Sequence, residues 1–495
     1  MTSGRPPMAN GKPMLTETRD RREQRAQRLQ RQLRAALERQ QQAHRAHPMP
    51  SLAERRADLL QLKAFLLDHQ QAICEAISAD YGHRSAHETL LMELLPAVND
   101  IKATIKALPT WMKPQKRAID RTIFGLADNR VIPQPLGVVG VIEPWNLPLK
   151  LSFVPLSAIL AAGNRACVKF SEHSRHLAKL LIETLPAYFP ADKLQFFDET
   201  GGVGEAFSQL PFDHLLFTGS SRTGRAVMAS AAANLTPVTL ELGGKSPAVV
   251  CDGFPLKTAV ERILYVKCLN AGQVCTTVDH VFVPQRQIPE FVALAQAVVP
   301  QRYPSLASPD YTSIVTRAAF DRLEAAMAEA RDAGAQLIPL ITQGPALDRK
   351  TRKIAPHLLL DAPADCALMR SEIFGPILPV IGYDALSEVI DRINAGPRPL
   401  ALYPFSLDVK VQERLVTQVM SGGVSINDAL LHVGQHDLPF GGVGESGMGH
   451  YHGREGFENF SKLRPVFRQA RLSSVSLLTP PYGTLVDQAL KVLLR

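Results

Sequence analysis

Residues 137–170 read GVVGVIEPWNLPLKLSFVPLSAILAAGNRACVKF, and this stretch decides the fold. Residues 137–142 form a short apolar run rich in valine, typical of a buried strand, and residues 166–170 form a second one. Between them, residues 151–162 form a longer run rich in leucine and alanine, which predicts a helix. Strands that are separated by a helical crossover pair in parallel, so the stretch predicts an α/β sheet covered on both faces.

The same alternation continues downstream. Strands are predicted at 194–197, 214–217 and 237–242, and helices at 176–188 and 223–233. After Gly243 and Gly244 the pattern starts again, with a strand at 247–250 and a helix at 256–269. A chain of 495 residues has room for two large domains. We therefore predict a second α/β domain that begins near this glycine pair.

Upstream of residue 137 the sequence is mainly helical. Residues 16–47 carry Leu29, Leu33 and Leu37 at helical spacing, which predicts a helix docked on the body through a narrow apolar stripe. Residues 51–54, SLAE, are a capping box that opens a second helix, whose apolar face continues to Ile73. A further helix is predicted over 87–111.

The charge of the chain is concentrated at its N-terminus. The net charge is +8, and residues 1–50, with eleven basic and four acidic residues, contribute +7 of it. A basic arm could bind nucleic acid or an anionic membrane. An Arg-rich helix that docks through its leucines is more simply explained by a solvated outer face. We therefore expect neither nucleic acid nor a membrane as a partner.

The cysteines and the apolar runs indicate the compartment. Six cysteines are too few and too scattered for a disulfide framework, which favours a reducing environment. No cysteine or histidine has further ligands at the spacing of a zinc site, so no metal is expected. The longest uncharged apolar run, residues 151–164, is too short to span a bilayer, and the N-terminus lacks the pattern of a signal peptide. The cytoplasm is the expected location.

One glycine-containing turn could hold phosphate. Residues 217–224, FTGSSRTG, follow a predicted strand and open a helix, so backbone N–H groups and the helix dipole would face an anion. Arg225 and Ala226 stand where a P-loop needs lysine followed by serine or threonine, which disfavours kinase or ATPase chemistry. Taken alone, the turn leaves open whether it binds phosphate or is a plain tight turn.

Two residues are candidates for chemistry. Cys275 lies in residues 270–277, NAGQVCTT, whose small and polar neighbours predict a turn that a ligand can reach. The other five cysteines lie mostly in apolar runs, where a buried and inert thiol is expected. Glu241 ends a predicted strand, at the sheet edge where ligands of α/β proteins collect. From these residues alone, an inert thiol and a solvated carboxylate remain the simpler interpretations.

Seven motifs, taken together and in order, resemble those of the aldehyde dehydrogenase superfamily. They are PWN (144–146), VKFSE (168–172), FTGS (217–220), ELGGK (241–245), GQVC (272–275), EIFGP (372–376) and PFGGVGES (439–446). The resemblance covers residues 51–467 and is closest to the class 3 branch. Within that branch, YGHRS (81–85), GHYHG (449–453) and the ordered extension before Ser51 are similar to the coniferyl aldehyde dehydrogenases.

The resemblance implies catalytic roles for three residues. Cys275 would attack the aldehyde and form a thiohemiacetal, whose oxygen would accept hydrogen bonds from the Asn146 side chain and the Cys275 N–H. Hydride transfer would leave a thioester, and Glu241 would activate the water that hydrolyses it. The implied reaction is the NAD(P)-dependent oxidation of an aldehyde to its acid, with coniferyl aldehyde to ferulate as the leading case.

The resemblance also implies a cofactor site. The residues implied are Lys169 and Glu172 at the adenosine ribose, Gly219 and Ser220 near the pyrophosphate, and Glu372 with Phe374 around the nicotinamide ribose. Glu172 would accept hydrogen bonds from ribose hydroxyls and repel a 2′-phosphate. NAD is therefore expected, and NADP remains possible because Lys169 could offset part of the added charge.

The implied architecture is an aldehyde dehydrogenase fold, with a Rossmann-like cofactor domain, a second α/β catalytic domain and a small oligomerisation hairpin and tail. The expected divisions are a basic, partly helical extension at 1–50, an NAD-binding domain at 51–243 with the hairpin at 117–134, a catalytic domain at 244–438, and an oligomerisation segment and tail at 439–495. The class 3 resemblance implies a homodimer.

The sequence departs from the family pattern at three positions. Phe170 replaces a common proline, Val274 replaces a usual threonine beside the nucleophile, and Val278 stands where proline is common. These changes bear on the adenine site and the substrate tunnel.

Two alternative functions remain open. One alternative is a dehydrogenase of long-chain fatty or other aromatic aldehydes. The other is a non-catalytic protein that binds nucleic acid or lipid through its N-terminus, and the intact Cys275 and Glu241 argue against it.

Overall fold

The computed structural model describes residues 19–471 and 479–494, and its first helix packs on the body. The helix α1 (Arg19–Ala46) buries Leu33 and Leu37 in the same apolar cluster as Cys167 and Phe207. On the same face, the Gln40 side chain donates a hydrogen bond to the carbonyl oxygen of Ala166 at 2.9 Å. The predicted leucine stripe therefore docks as expected. Residues 16–18 of the predicted helix lie outside the described residues.

Four further helices precede the first strand. They are α2 (Leu52–Asp68), α3 (Gln70–Tyr81), α4 (Ala86–Thr89) and α5 (Leu95–Trp111). The Ser51 hydroxyl accepts the Glu54 N–H at 3.3 Å and the Glu54 carboxylate accepts the Ser51 N–H at 2.7 Å, which confirms the capping box. The prediction of one helix continuing to Ile73 is wrong, because His69 leaves the helical conformation (φ −110°, ψ 10°). The predicted helix over 87–111 is interrupted by a single π-helical turn, Leu90–Leu94.

A hairpin then leads into the first sheet. It consists of β1 (Gln115–Arg117), α6 (Arg121–Phe124) and β2 (Asp128–Pro135), with β1 and β2 antiparallel.

The first sheet has the parallel pairing that the sequence predicted. Its elements are β3 (Val138–Ile142), α7 (Pro148–Ala161), β4 (Arg165–Lys169), α8 (Arg175–Thr184), β5 (Leu194–Phe197), α9 (Val203–Ser208), β6 (His214–Thr218), α10 (Ser221–Ala232) and β7 (Val238–Glu241). The order β7-β6-β3-β4-β5 is parallel throughout. The helix α7 begins three residues earlier than predicted, because Pro148 fits the first turn of a helix, where no N–H is needed.

The second sheet follows the same principle. Its elements are β8 (Pro247–Val250), α11 (Leu256–Cys268), β9 (His280–Pro284), α12 (Ile288–Arg302), α13 (Arg317–Asp332), β10 (Gln336–Pro339), β11 (Leu347–Asp348), β12 (Lys353–Ile354), β13 (His357–Leu360), α14 (Ala367–Arg370), β14 (Ile377–Tyr383), α15 (Leu386–Asn394), β15 (Ala401–Phe405), α16 (Val409–Gln418) and β16 (Gly423–Val424). The order is β10-β13-β14-β9-β8-β15-β16. Only its β10 edge is antiparallel among the described strands, and β11 and β12 pair separately.

The C-terminal segment pairs with the first sheet and with the hairpin. Its elements are β17 (Gly447–Met448), α17 (Gly453–Asn459), β18 (Ser461–Arg468) and α18 (Thr484–Leu493). The strand β17 pairs with β7 of the first sheet, and β18 pairs along the whole of β2. The hairpin and the C-terminal segment thus form one three-stranded sheet, whose role in joining two copies stays a prediction. Residues 472–478 and 495 of the predicted tail lie outside the described residues.

The position of the motifs follows from this topology. The α/β fold class is confirmed, and the chain passes from the first sheet to the second between Glu241 and Pro247. The carboxyl ends of β3, β6 and β7 carry the motifs at 144–146, 217–220 and 241–245, so these motifs lie at one sheet edge. In the described part of the chain, no helix combines the length and apolar character needed to cross a bilayer.

Candidate active site

The loops that follow β3, β6 and β7 surround a cavity of about 230 Å³ at the carboxyl edge of the first sheet. Of the nine residues predicted to form a site, seven line this cavity: Asn146, Gly219, Ser220, Glu241, Cys275, Glu372 and Phe374. Cys275, Glu372 and Phe374 come from the part of the chain that builds the second sheet. The cavity therefore lies where loops of the two sheets meet.

A second cavity also reaches Cys275. It has a volume of about 200 Å³ and a mainly apolar wall. The two cavities share Leu151, Cys275 and Phe440. The thiol therefore lies at their junction, where a molecule in either cavity can contact it.

The backbone turn before Cys275 has a rare conformation. Asn270 and Ala271 both have φ 51°, and Gly272 has φ 73°. Holding a residue that has a Cβ in this left-handed region costs about 1–3 kcal/mol of folding free energy. A Cβ at Gly272 would also lie 2.3 Å from the carbonyl oxygen of Gly375, so only glycine fits. The predicted turn at Cys275 is confirmed, and its strain must be offset by the contacts around it.

A buried hydrogen-bond network provides those contacts. The Asn270 side chain donates at 3.1 Å to the carbonyl oxygens of Asn146 and Gln273, and to the Tyr81 hydroxyl at the same distance. The Tyr81 hydroxyl in turn donates to the Asn146 carbonyl at 2.9 Å. The turn that carries the thiol is therefore fixed relative to the loop that carries Asn146.

The side chain of Asn146 keeps a donor for the cavity. One of its N–H groups donates to the Gln273 carbonyl oxygen at 3.3 Å. A primary amide has two N–H donors, and the Asn146 side chain has no second acceptor among the described residues. The remaining N–H can therefore bind an oxygen atom that enters the cavity.

A buried ion pair supports the helix that follows Asn146. Arg84 pairs with Glu93, which lies in the π-helical turn, and neither side chain is exposed. The second carboxylate oxygen of Glu93 accepts the N–H groups of Leu149 at 2.7 Å and Lys150 at 3.3 Å. A carboxylate at a helix N-terminus satisfies free N–H groups and faces the positive end of the helix dipole. Glu93 thus anchors the first turn of α7.

Burial raises the pKa of the Cys275 thiol to about 12. The negative charges of Glu372 and Glu241 add to this rise, and the ammonium of Lys150 opposes it. The thiol is therefore protonated at neutral pH and must lose its proton before it can attack a carbonyl carbon.

Glu241 is buried and lacks a partner. Neither of its carboxylate oxygens has a hydrogen-bond partner among the described residues. Burial raises its pKa well above the ordinary range, and the nearby backbone N–H of Gly442 opposes the rise without reaching hydrogen-bond geometry. A desolvated carboxylate with a raised pKa is suited to accept a proton from water at neutral pH.

Glu372 reaches the cavity because residue 243 is glycine. A Cβ at Gly243 would lie 2.0 Å from the Glu372 Oε2 atom, so a side chain there would displace the carboxylate. Burial raises the pKa of Glu372 to about 8, and Asp279 adds to the rise. Beside it, Phe374 contacts Trp145 edge-on, with 5.5 Å between ring centroids.

The helix α10 begins at the wall of the same cavity. The Ser220 hydroxyl accepts the Thr223 N–H at 3.3 Å and so caps the helix. The Gly219 N–H donates to the Glu241 carbonyl oxygen at 2.9 Å, which ties the turn to β7. The positive end of a 12-residue helix can bind the phosphate groups of a dinucleotide here.

Lys169 and Glu172 lie outside this cavity, at the end of β4. Lys169 forms an ion pair with Glu199, with 2.6 Å between Nζ and Oε2. Glu199 also accepts the N–H groups of Gly202, Val203 and Gly204, each at 2.9 Å. Burial alone would raise the pKa of Glu199, but Lys169 and these donors outweigh it, and the pKa is lowered. The side chain of Glu172 is half exposed.

Comparison with known proteins assigns the family. The sequence pattern described as "Aldehyde dehydrogenase family" matches residues 16–466, which is most of the chain. The chain belongs to the aldehyde dehydrogenase family. The resemblance on which the sequence analysis relied is thereby confirmed, and the chain is an NAD(P)-dependent aldehyde dehydrogenase.

Three known proteins illustrate how similar this dehydrogenase is to its relatives. A protein of Pseudomonas aeruginosa named probable coniferyl aldehyde dehydrogenase is 48% identical over 457 residues, covering 92% of this chain and 95% of that protein. Coniferyl aldehyde dehydrogenase of Pseudomonas sp. is 41% identical over 465 residues, covering 93% and 96%. Among solved structures, the substrate-bound state of Staphylococcus aureus AldH is 32% identical, with a TM-score of 0.88 and coverage of 94% and 99%.

Sequence reasoning missed several residues that support the site of this dehydrogenase. Tyr81 and Arg84 lie in the YGHRS motif, which had served only to place the chain within its family. Glu93 and Lys150 are charged residues inside apolar stretches, and that position was a usable signal of a buried role. In the described ranges, no group of three or more His, Cys, Asp or Glu side chains could hold a metal ion.

Proposed function

We propose that the enzyme oxidises an aromatic aldehyde to its carboxylic acid with NAD, and that coniferyl aldehyde, which gives ferulate, is the leading substrate. The observation that carries this proposal is the position of Cys275 at the junction of two cavities, with Glu241 and Asn146 on the wall of one of them. Two relatives that cover most of this chain bear the name of that activity, and one of them is 48% identical.

The first step is attack by Cys275 on the aldehyde carbon. The thiol transfers its proton to water, and the resulting thiolate forms a bond to the aldehyde carbon while the π electrons of the C=O bond move onto the oxygen, which becomes negatively charged. The remaining N–H of Asn146 and the backbone N–H of Cys275 donate to that oxygen. One such donor is typically worth about 3 kcal/mol in the transition state. The strained turn at 270–272 places the sulfur before the substrate arrives.

In the second half of the reaction, Glu241 acts as the base for hydrolysis of the thioester. Bound NAD would supply the acceptor for the hydride of the thiohemiacetal carbon. The carbon left behind is a thioester on Cys275, which water must hydrolyse. Glu241 takes a proton from that water, because its unpartnered carboxylate lies on the wall of the cavity that Cys275 also lines. The acid then leaves, and the thiol is restored.

The residues around the first cavity fit a dinucleotide. The N-terminus of α10 offers N–H groups and positive potential to a pyrophosphate, and Glu372 and Phe374 line the same cavity as Cys275. At the end of β4, the lysine that could offset a 2′-phosphate is already paired with Glu199. With Lys169 paired in this way, the carboxylate of Glu172 disfavours a 2′-phosphate, and we propose a preference for NAD over NADP.

The substrate proposal is tested with a panel of aldehydes. Purified enzyme with NAD and coniferyl aldehyde is expected to produce NADH, monitored by absorbance, with ferulate as product. The value of kcat/KM is expected to be higher for coniferyl aldehyde than for a long unbranched alkanal, because a charged lysine interrupts the apolar wall of the second cavity. A higher value for the alkanal would contradict the aromatic assignment. Absence of turnover with every aldehyde would overturn the proposed reaction.

The cofactor proposal is tested by removing one carboxylate. Glu172→Gln is expected to lower the ratio of kcat/KM for NAD to that for NADP about fivefold, since two like charges 4 Å apart in water repel by about 1 kcal/mol. Glu290→Gln is the matched control, because Glu290 is an exposed carboxylate on α12, in the part of the chain that builds the second sheet. An unchanged ratio in Glu172→Gln, or an equal change in both variants, would show that Glu172 does not select the cofactor.

A further inference from the structure

Lys150 is a charged residue in an unusual place. It lies in the first turn of α7, its side chain is only 8% exposed, and it lines the second cavity together with Cys275. Most of the other side chains on that wall, including Leu91, Met92 and Val433, are apolar. Lysine is almost never buried in such surroundings unless it is paired.

Within the described residues, no hydrogen bond or ion pair satisfies the Lys150 ammonium. Asp100 and Glu93 are the carboxylates that act on it electrostatically, and both lie farther away than the 4.0 Å of an ion pair. Glu93 is already committed to Arg84 and to the N-terminus of α7. The carboxyl group of Asp100 is buried, which raises its pKa to about 7.

The other titratable groups near Lys150 cannot neutralise it. Three histidines feel its charge, and burial lowers the pKa of each of them: His432, His436 and His452. The positive charge of Lys150 lowers these pKa values further, so the imidazoles are neutral at pH 7. Cys275 is the other group of the cavity wall that interacts with it. The cavity therefore contains one buried cation without a counter-charge in contact.

Burying a charge without a partner raises the free energy of the folded protein, and this is tolerated where a bound ligand supplies the partner. Because the cation and the nucleophile share one cavity, the natural counter-group is an oxygen of the aldehyde itself, away from its carbonyl. That oxygen must accept a hydrogen bond, and it binds most strongly when it can also carry negative charge.

We propose that the Nζ atom of Lys150 binds the phenolic oxygen of a hydroxyaryl aldehyde, and so makes this enzyme specific for substrates with a free ring hydroxyl. This inference rests on the proposed function, because it assumes that the second cavity receives an aromatic aldehyde. It assigns to Lys150 a part in substrate selection that is separate from bond making at Cys275.

The chemistry of the two groups is matched. Conjugation of a para hydroxyl with the carbonyl group makes such a phenol more acidic than an ordinary one, and burial lowers the pKa of Lys150. The proton can rest on either atom. When the proton is on Nζ, an N–H···O⁻ bond forms. When it is on the phenolic oxygen, an O–H···N bond forms, so one strong hydrogen bond is available in both states. An aryl methyl ether is a weaker acceptor, cannot ionise, and adds a methyl group at the contact.

Lys150 could instead act on the thiol, since its charge lowers the pKa of Cys275. That role would favour every aldehyde equally, because the thiolate is common to all of them. Selection of the phenol changes only the ratio between substrates. The two roles are therefore separated by a ratio and not by an activity.

The experiment compares coniferyl aldehyde with 3,4-dimethoxycinnamaldehyde, which differs only by methylation of the ring hydroxyl. The wild-type enzyme is expected to prefer the phenol at least about tenfold in kcat/KM, the effect of one hydrogen bond to a charged group. Lys150→Met is expected to bring this ratio close to one. Lys106→Met is the matched control, because Lys106 is exposed on α5, and it should keep the wild-type ratio.

Each outcome decides the proposal. A wild-type ratio near one overturns it without any variant, so it can fail even if Lys150→Met does not fold. A preference that survives in Lys150→Met, or an equal loss on both substrates, also overturns it. So does a Lys150-dependent preference for 4-carboxybenzaldehyde over benzaldehyde without one for the phenol, because the cation then serves carboxylates. Absence of turnover on all aldehydes would instead count against the proposed function.

Discussion

Replacing Cys275 with alanine is expected to abolish NADH production from any aldehyde, lowering kcat by at least about 10⁴-fold, as is found when a covalent nucleophile is removed. The reason is geometric as well as chemical. Both cavities converge on this sulfur, and the strained turn before it serves to place it. The fold should be unaffected, because the backbone of residues 270–275 is fixed by Asn270, Tyr81 and Gln273 and not by the thiol.

The measurement is steady-state NADH formation, with thermal unfolding as a check on the fold. Cys74→Ala is the matched control, because Cys74 is the other cysteine with partial exposure and lies on α3. It should retain wild-type turnover. If Cys275→Ala kept a tenth of the wild-type rate, or if Cys74→Ala lost activity to the same degree, Cys275 would not be the nucleophile.

Glu241→Gln is expected to separate the two halves of the reaction. Acylation of Cys275 and the hydride step do not need the base, so the first turnover should still release about one NADH per active site. Steady-state turnover should fall by about 10²–10⁴-fold, since the amide cannot take a proton from water. The acylated enzyme should then accumulate, and mass spectrometry would detect it as an adduct on the peptide that contains Cys275.

The raised pKa of Glu241 predicts how deacylation and stability change with pH in the wild type and how they differ in Glu241→Gln. Burial raises the pKa of Glu241, so in the wild type the carboxylate becomes available as a base as pH rises, and deacylation should accelerate. Between the ordinary and the raised pKa, the folded protein holds more protons than the unfolded chain, so the contribution of Glu241 to stability falls as pH rises. Glutamine removes both effects. Glu241→Gln should therefore unfold at an equal or higher temperature than the wild type at mildly alkaline pH.

Glu143 supplies a matched control for that variant. It is also a buried glutamate with both carboxylate oxygens unpartnered among the described residues, and burial raises its pKa well above the ordinary range. It lines neither cavity at Cys275. Glu143→Gln should keep both the first turnover and the steady state. A steady-state loss of similar size in both variants would mean that Glu241 has no special part in hydrolysis.

Much of the fold could be predicted because its signals are local. The strands at 194–197 and 247–250 match the observed β5 and β8 residue for residue. The strand β8 is a continuous buried apolar run, whereas β5 alternates between buried and half-buried residues. The capping box at Ser51 is likewise contained in four residues. The break at His69 was missed because no glycine or proline marks it and the apolar periodicity continues through it. Only the backbone conformation of His69 shows that α3 is a separate helix.

The site divides in the same way. Cys275, Glu241 and Asn146 lie in contiguous motifs, so the sequence could name them, but their convergence on one cavity depends on both sheets. The contacts that hold them join distant parts of the chain, such as the Tyr81 hydroxyl with Asn146 and Glu93 with the start of α7. No spacing rule predicts such pairs. Lys150 was passed over because it lies at the edge of an apolar run, where its burial is invisible without the fold.

The docking of α1 has a practical consequence for anyone who shortens this protein. Ser51 looks like a natural starting point, since the recognisable motifs all follow it and the net charge of the body is close to neutral. A chain that begins there would lack Leu33, Ala36 and Leu37. The apolar surface that includes Phe207 and Phe212 would then become exposed to solvent. Loss of this cover would also remove most of the positive charge that keeps molecules apart in solution. Exposed apolar surface and weaker charge repulsion both favour aggregation, so we expect a protein that begins at Ser51 to be less soluble than the full chain.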